Sequence, residues 1–149
     1  MEKDKKLILD FELVPDGCWY SNLRSILPPE MWSIVRKEAI ARAGGKCAVC
    51  HTPTNYFEAH EVWSYDVKTK TQKLEDVIAI CRDCHAVKHI GRTQLKGDED
   101  RAIKHFLTVN GCLYADYRKA LGKANERHRE LNKVDEWKLD LSYLKKFGK

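Results

Sequence analysis

The chain has 149 residues, of which 43% are hydrophobic and 33% charged, and carries a net charge of +5. That length suits one compact domain with an extension, and the apolar fraction supports a buried core and argues against long disorder. No apolar run approaches the roughly 18–20 residues of a membrane helix, and the acidic, charged start does not read as a signal peptide. The positive charge permits nucleic acid as a partner through its phosphates without identifying one.

In chain order, residues 1–16 form a charged lead with one alternating patch, Leu7 to Val14, that reads as a short strand. Residues 17–28 read as irregular. From Pro29 the pattern turns helical, with Trp32, Val35, Ala39 and Ile40 at roughly helical steps and Gly44-Gly45 as the stop. A knuckle follows at 46–53. Tyr56 to Tyr65 reads as a strand, Asp66 to Lys73 as a polar turn, and Leu74 to Ile80 as a second strand pairing antiparallel with the first. Cys81 to Ile90 reads as a short helix stopped by Gly91, and 92–98 as a loop. Asp98 stands where an N-cap would for a helix over 99–109, ended by Asn110-Gly111. A charged helix is expected over 114–134 despite Gly122, and 135–149 is expected to fold back on the core. Trp19, Trp32 and Trp137 suit packing better than base stacking.

Six cysteines stand at 18, 47, 50, 81, 84 and 112. With no export signal a disulfide framework is not expected. Four of them form two CxxC pairs, Cys47-Ala-Val-Cys50 and Cys81-Arg-Asp-Cys84, with 30 residues between. In a CxxC knuckle the backbone turn brings both sulfurs to one point, and two knuckles complete a tetrahedral four-thiolate zinc site. Cys18 and Cys112 lack such partners and read as buried or incidental thiols.

A second constellation overlaps the first. His85 follows Cys84, and His89 comes four residues later, so a helix would place both imidazoles on one face. Glu58-Ala-His-Glu61 lies in the first strand of the expected hairpin. If the hairpin packs on the helix, His60 or Glu61 can face His85 and His89 around a second metal, leaving positions open for water and a phosphate oxygen. Lys68, Lys70 and Lys73 in the turn, with Lys88 and Arg92 beside the helix, could serve a nucleic-acid backbone. Arg118, Lys119, Lys123, Arg127, Arg129 and Lys133 make the 114–134 helix basic, with acidic residues interspersed.

Three segments carry a resemblance: Cys47-Ala-Val-Cys50, Phe57-Glu-Ala-His-Glu61, and Leu74-Glu-Asp-Val-Ile-Ala-Ile-Cys81-Arg-Asp-Cys-His-Ala-Val-Lys-His89. Together they resemble the HNH, or His-Me finger, endonuclease family with a zinc-ribbon insert, over roughly residues 36–91. The flanks Cys18 to Arg24, Val109-Asn-Gly111 and Trp137 to Ser142 look similar to a bacterial or phage subgroup. The resemblance implies an α+β chain with a ββα-metal core at 36–91, an N-terminal extension and helix start at 1–35, and a helical extension at 92–149. It implies a metal-dependent hydrolase that cuts DNA phosphodiesters in a bacterial or phage-encoded, cytoplasmic setting, with no membrane. The cofactors implied are a structural Zn²⁺ and a second divalent ion: Mg²⁺, Mn²⁺, Ni²⁺ or Zn²⁺.

By position, His60 matches the first residue of the family's His-His pair, a metal ligand. Glu61 stands where the general-base His usually lies, and His85 and His89 match the helix ligands. Asp76 stands where the middle Asn, which orients the base, usually lies. In a second register His60 is itself the base. The alternative to an enzyme is an HNH-like zinc module that binds DNA or a protein and has lost the base.

Overall fold

The computed structural model describes residues 7–18 and 22–148. Trp19, with Tyr20 and Ser21 of the Cys18–Arg24 flank, lies outside the described residues, as do residues 1–6 of the charged lead. The architecture is α+β, a small three-stranded sheet with helices. No helix among the described residues is long and apolar enough to cross a membrane.

Helix α1 spans Leu23–Ile26 and opens on Asn22, whose side chain accepts from the Ser25 amide at 3.0 Å. Helix α2 spans Pro29–Ala43 and ends at Gly44 with φ of 64°. That left-handed conformation is one a glycine adopts without a Cβ penalty. Strands β1 (Glu58–Asp66) and β2 (Thr71–Ile80) pair antiparallel. The turn between them is shorter than the sequence suggests, because Thr71, Gln72 and Lys73 pair with Asp66, Tyr65 and Ser64. The register slips between Val62 and Trp63.

Helix α3 (Arg82–Lys88) follows β2 directly, and α4 (Ile90–Leu95) follows α3. The sequence places one helix here, stopped at Gly91, and then a loop. The break instead falls at His89, at φ −103° and ψ 53°, and the chain stays helical through Gly91. The Thr93 hydroxyl donates to the carbonyls of Ala86 and His89, at 2.6 and 3.2 Å, and so bridges the break.

Helix α5 runs Glu99–Asn110 and α6 runs Tyr114–Leu131. Asp98 stands at the N-cap of α5, but its side chain makes no cap bond. Two additions complete the chain. Strand β3 (Lys138–Asp140) pairs parallel with Thr71–Lys73, and a 3₁₀ turn covers Ser142–Phe147.

The alternation of β2 divides two cores. Ile80 joins Leu9, Phe11, Cys84, Val87, Ile90, Phe106 and Tyr117. Val77 and Ala79 join Leu23, Val35, Ala39 and Leu74, with Tyr143 and Phe147 packed against them. The first core draws on the 7–15 segment, which is a strap and not the expected strand. At Ile8 and Leu9 its backbone groups are met by a side chain instead of a strand partner: the Asn110 amide accepts from the amides of Ile8 and Leu9 and donates to the Leu9 carbonyl, all within 2.9 Å. Phe11 stacks on Phe106 at 5.2 Å between ring centres.

Candidate metal centres

The first centre is built from two turns. Cys47 lies after α2, and its sulfur accepts from the amides of Val49 and Cys50 at 3.4 and 3.5 Å. An isolated bridge between Lys46 and Pro53 closes this knuckle. Cys81 caps α3, its sulfur accepting from the Cys84 amide at 3.4 Å. The sulfurs of Cys47, Cys50, Cys81 and Cys84 all lie within 4.8 Å of one another. Cys50 and Cys81 are 3.8 Å apart, close to the edge of a tetrahedron with zinc–sulfur arms of about 2.3 Å.

The four could hold a zinc ion, and their acidity fits that use. Hydrogen bonds from Cys81 and Cys84 push the Cys47 thiol down, and in turn the Cys47 sulfur pushes Cys84 up and Cys81 up to about 11. Four thiols this close cannot all ionise without a cation among them. Two polar side chains meet this cluster: Thr52 Oγ1 lies 3.2 Å from Cys50, and His105 Nε2 lies 3.2 Å from Cys84.

The second centre lies where β1 meets α3. His60, His85 and His89 each offer a ring nitrogen, all within 4.8 Å of one another. Their ring centres are 4.7 to 5.3 Å apart. His60 is 2% exposed. Burial lowers the His85 pKa, although its hydrogen bond to Glu58 works the other way. Burial, with the neighbouring His85 and His60, lowers that of His89 to about 3. Neutral imidazoles at pH 7 are the form that ligates a metal.

Two carboxylates reach these rings. Glu58 Oε1 lies 2.6 Å from His85 Nδ1, and Glu12 Oε1 lies 2.8 Å from His60 Nε2. Burial works against ionisation of Glu12, but hydrogen bonds and charge from His60 and Lys88 win and bring its pKa to about 2. The motif points to neither residue. Strand alternation could have found Glu58, since it stands two residues before His60 on the same face. Glu12 comes from 48 positions away and carries no local signal.

The other site residues named from the sequence fall elsewhere. Glu61 is on the opposite face of β1 from His60, because neighbouring strand residues point to opposite sides. Its carboxylate accepts from the Leu23 amide and from Trp63 Nε1, each at 3.1 Å, and burial raises its pKa. It therefore does not join the three histidines. Asp76 is also drawn away: it accepts from Tyr143 Oη at 2.9 Å and from Arg42 at 3.2 Å, on the α2 side of the sheet. Lys88 is not presented to a partner. It is 7% exposed, and its ammonium is spent on Glu12. Lys68, Lys70, Lys73 and Arg92 are exposed.

Comparison of the chain with models of protein families, with curated proteins and with solved structures found no match.

Proposed function

We propose that this chain is a metal-dependent DNA endonuclease of the HNH type, its ββα-metal element being β1, β2 and α3. One observation carries the reading: His60 from the strand converges with His85 and His89 from the helix. A purely structural four-cysteine site has no use for three converging histidines, one buried and two half-buried. In this reading Cys47, Cys50, Cys81 and Cys84 hold a structural zinc that fixes α3 against the knuckle, and so fixes the two helix histidines.

The donor set of the second centre suits a nitrogen-loving ion such as Zn²⁺ or Ni²⁺ better than Mg²⁺, which prefers oxygen ligands and water. Such an ion supplies Lewis-acid stabilisation of charge developing on the phosphate. His85 and His89 are the residues that would hold it. His60 either completes the ligand set or takes the proton from the attacking water. Neutral imidazole suits proton transfer near pH 7. Glu61 and Asp76 take no part in this scheme.

The second reading is a zinc module that binds DNA or a protein without cutting. What favours it is the engagement of Glu61 and Asp76 in holding α1 and α2. Incubating plasmid with purified protein and Ni²⁺, Zn²⁺, Mn²⁺ or Mg²⁺ separates the two. Cleavage that EDTA abolishes, and that His85→Ala and His89→Ala remove with the fold intact, supports the enzyme. Parent protein that binds but does not cut under all four metals leaves the module.

A further inference from the structure

We propose that Glu12, and not Asp76, is the positioning residue for His60, which makes the N-terminal strap a part of the three-histidine centre. This rests on the metal-centre reading above but does not require that the protein cut DNA.

The argument starts from what an ionised carboxylate can do. It accepts hydrogen bonds and donates none. With Glu12 Oε1 at 2.8 Å from Nε2, that nitrogen carries a proton, and in the neutral ring that ligates a metal Nδ1 is then the nitrogen with the lone pair. A histidine that is 2% exposed has little room to escape this choice. Glu58 makes the opposite choice at His85. It holds Nδ1 at 2.6 Å and leaves Nε2. Histidines that ligate metals usually donate their other N–H to a carboxylate or carbonyl in this way, which sets tautomer and ring orientation.

Glu12 is itself held at two points by one residue of α3. Its second oxygen accepts from the Lys88 ammonium, and its backbone amide donates to the Lys88 carbonyl at 2.9 Å. Lys88 directly precedes His89 and stands three residues after His85, so the strap is docked on the segment that carries both helix histidines. The buried lysine thereby has a role that does not involve phosphate. Leu9 and Phe11, buried in the first core, and the Asn110 clamp set the height of the strap along α3. Asp76 offers no such geometry, since Arg42 and Tyr143 occupy its oxygens on the α2 side.

The test uses the full chain with the four-cysteine site loaded with zinc and the histidines ¹⁵N-labelled. The parent is expected to show His60 as the Nε2–H tautomer in long-range ¹H–¹⁵N spectra. The isosteric Glu12→Gln should disturb that tautomer and weaken Co²⁺ binding at the histidine site by 10- to 100-fold, read from Co²⁺ absorption. Asp76→Asn should change neither. A parent His60 found as the Nδ1–H tautomer overturns the proposal before any variant is made. So does a Glu12→Gln protein with the parental tautomer and Co²⁺ affinity within twofold, or an Asp76→Asn protein that shows the losses expected of Glu12→Gln. No readout involves DNA, so absence of cleavage would sink the nuclease reading and leave this one standing.

Discussion

Two acidic residues beside one histidine have opposite fates on β1, and the difference is testable. Glu58 shares the face of His60 and meets His85, whereas Glu61 turns to the α2 side and holds the start of α1. Glu61→Ala should therefore destabilise the fold by about 1–3 kcal/mol through the stranded Leu23 amide and Trp63 indole. Urea unfolding should register that loss, while metal affinity at the histidines stays near the parent's. His89 makes the second residue-scale prediction. Its folded pKa of about 3 lies below the ordinary value of 6.5, so between these limits the unfolded chain binds the extra proton. Stability then rises with pH across this window and falls on acidification, with nothing further gained above 6.5. With the histidine centre empty, urea midpoints should drop between pH 7 and pH 5. In His89→Gln the loss of unfolding free energy over that range should be smaller by about 1–2 kcal/mol, a difference that cancels the acid sensitivity of the thiolates common to both proteins.

At the scale of elements, what is legible from sequence is what local chemistry decides. Pro29 and Gly44 bound α2, the alternation of β1 and β2 announces the hairpin, and Gly111, at φ 59°, ends α5. The strap is not legible as a strap. Its Leu7–Val14 alternation is that of a half-buried strand, and only the distant Asn110 decides that its amides meet a side chain instead of a ladder. Strand β3 is equally hidden, since three residues carry no period and their pairing is set by the neighbouring turn. Asn110→Ala should free the strap amides and destabilise the protein by about 1–3 kcal/mol. Faster hydrogen exchange at Leu9, with exchange in β2 unchanged in rank, would locate the loss in the strap. Equal loosening everywhere would deny the clamp.

For the whole molecule, the same division between near and far governs the site. The four cysteines and the two helix histidines follow from spacing within two short segments, while Glu12 and the removal of Lys88 from the surface depend on how the strap lies across α3. Under the proposed nuclease reading, that placement changes which cations can meet DNA. Lys68 and Lys70 sit at the hairpin tip, six or more residues along β1 from His60, or roughly 20 Å at about 3.3 Å per residue. A duplex touching both the tip and Arg92 near the histidines would span about six base pairs at about 3.4 Å each. Each phosphate neutralised contributes about −0.9 to the slope of log affinity against log salt. Lys68→Ala combined with Lys70→Ala should thus weaken binding across unrelated sequences and flatten the slope by roughly 1 to 2. Lys88→Met should leave the slope unchanged, because its ammonium already serves Glu12. Fluorescence anisotropy on a labelled duplex between about 50 and 200 mM salt measures both. A flatter slope in Lys88→Met with none in the tip variant would move the DNA off the hairpin and onto the strap side of α3.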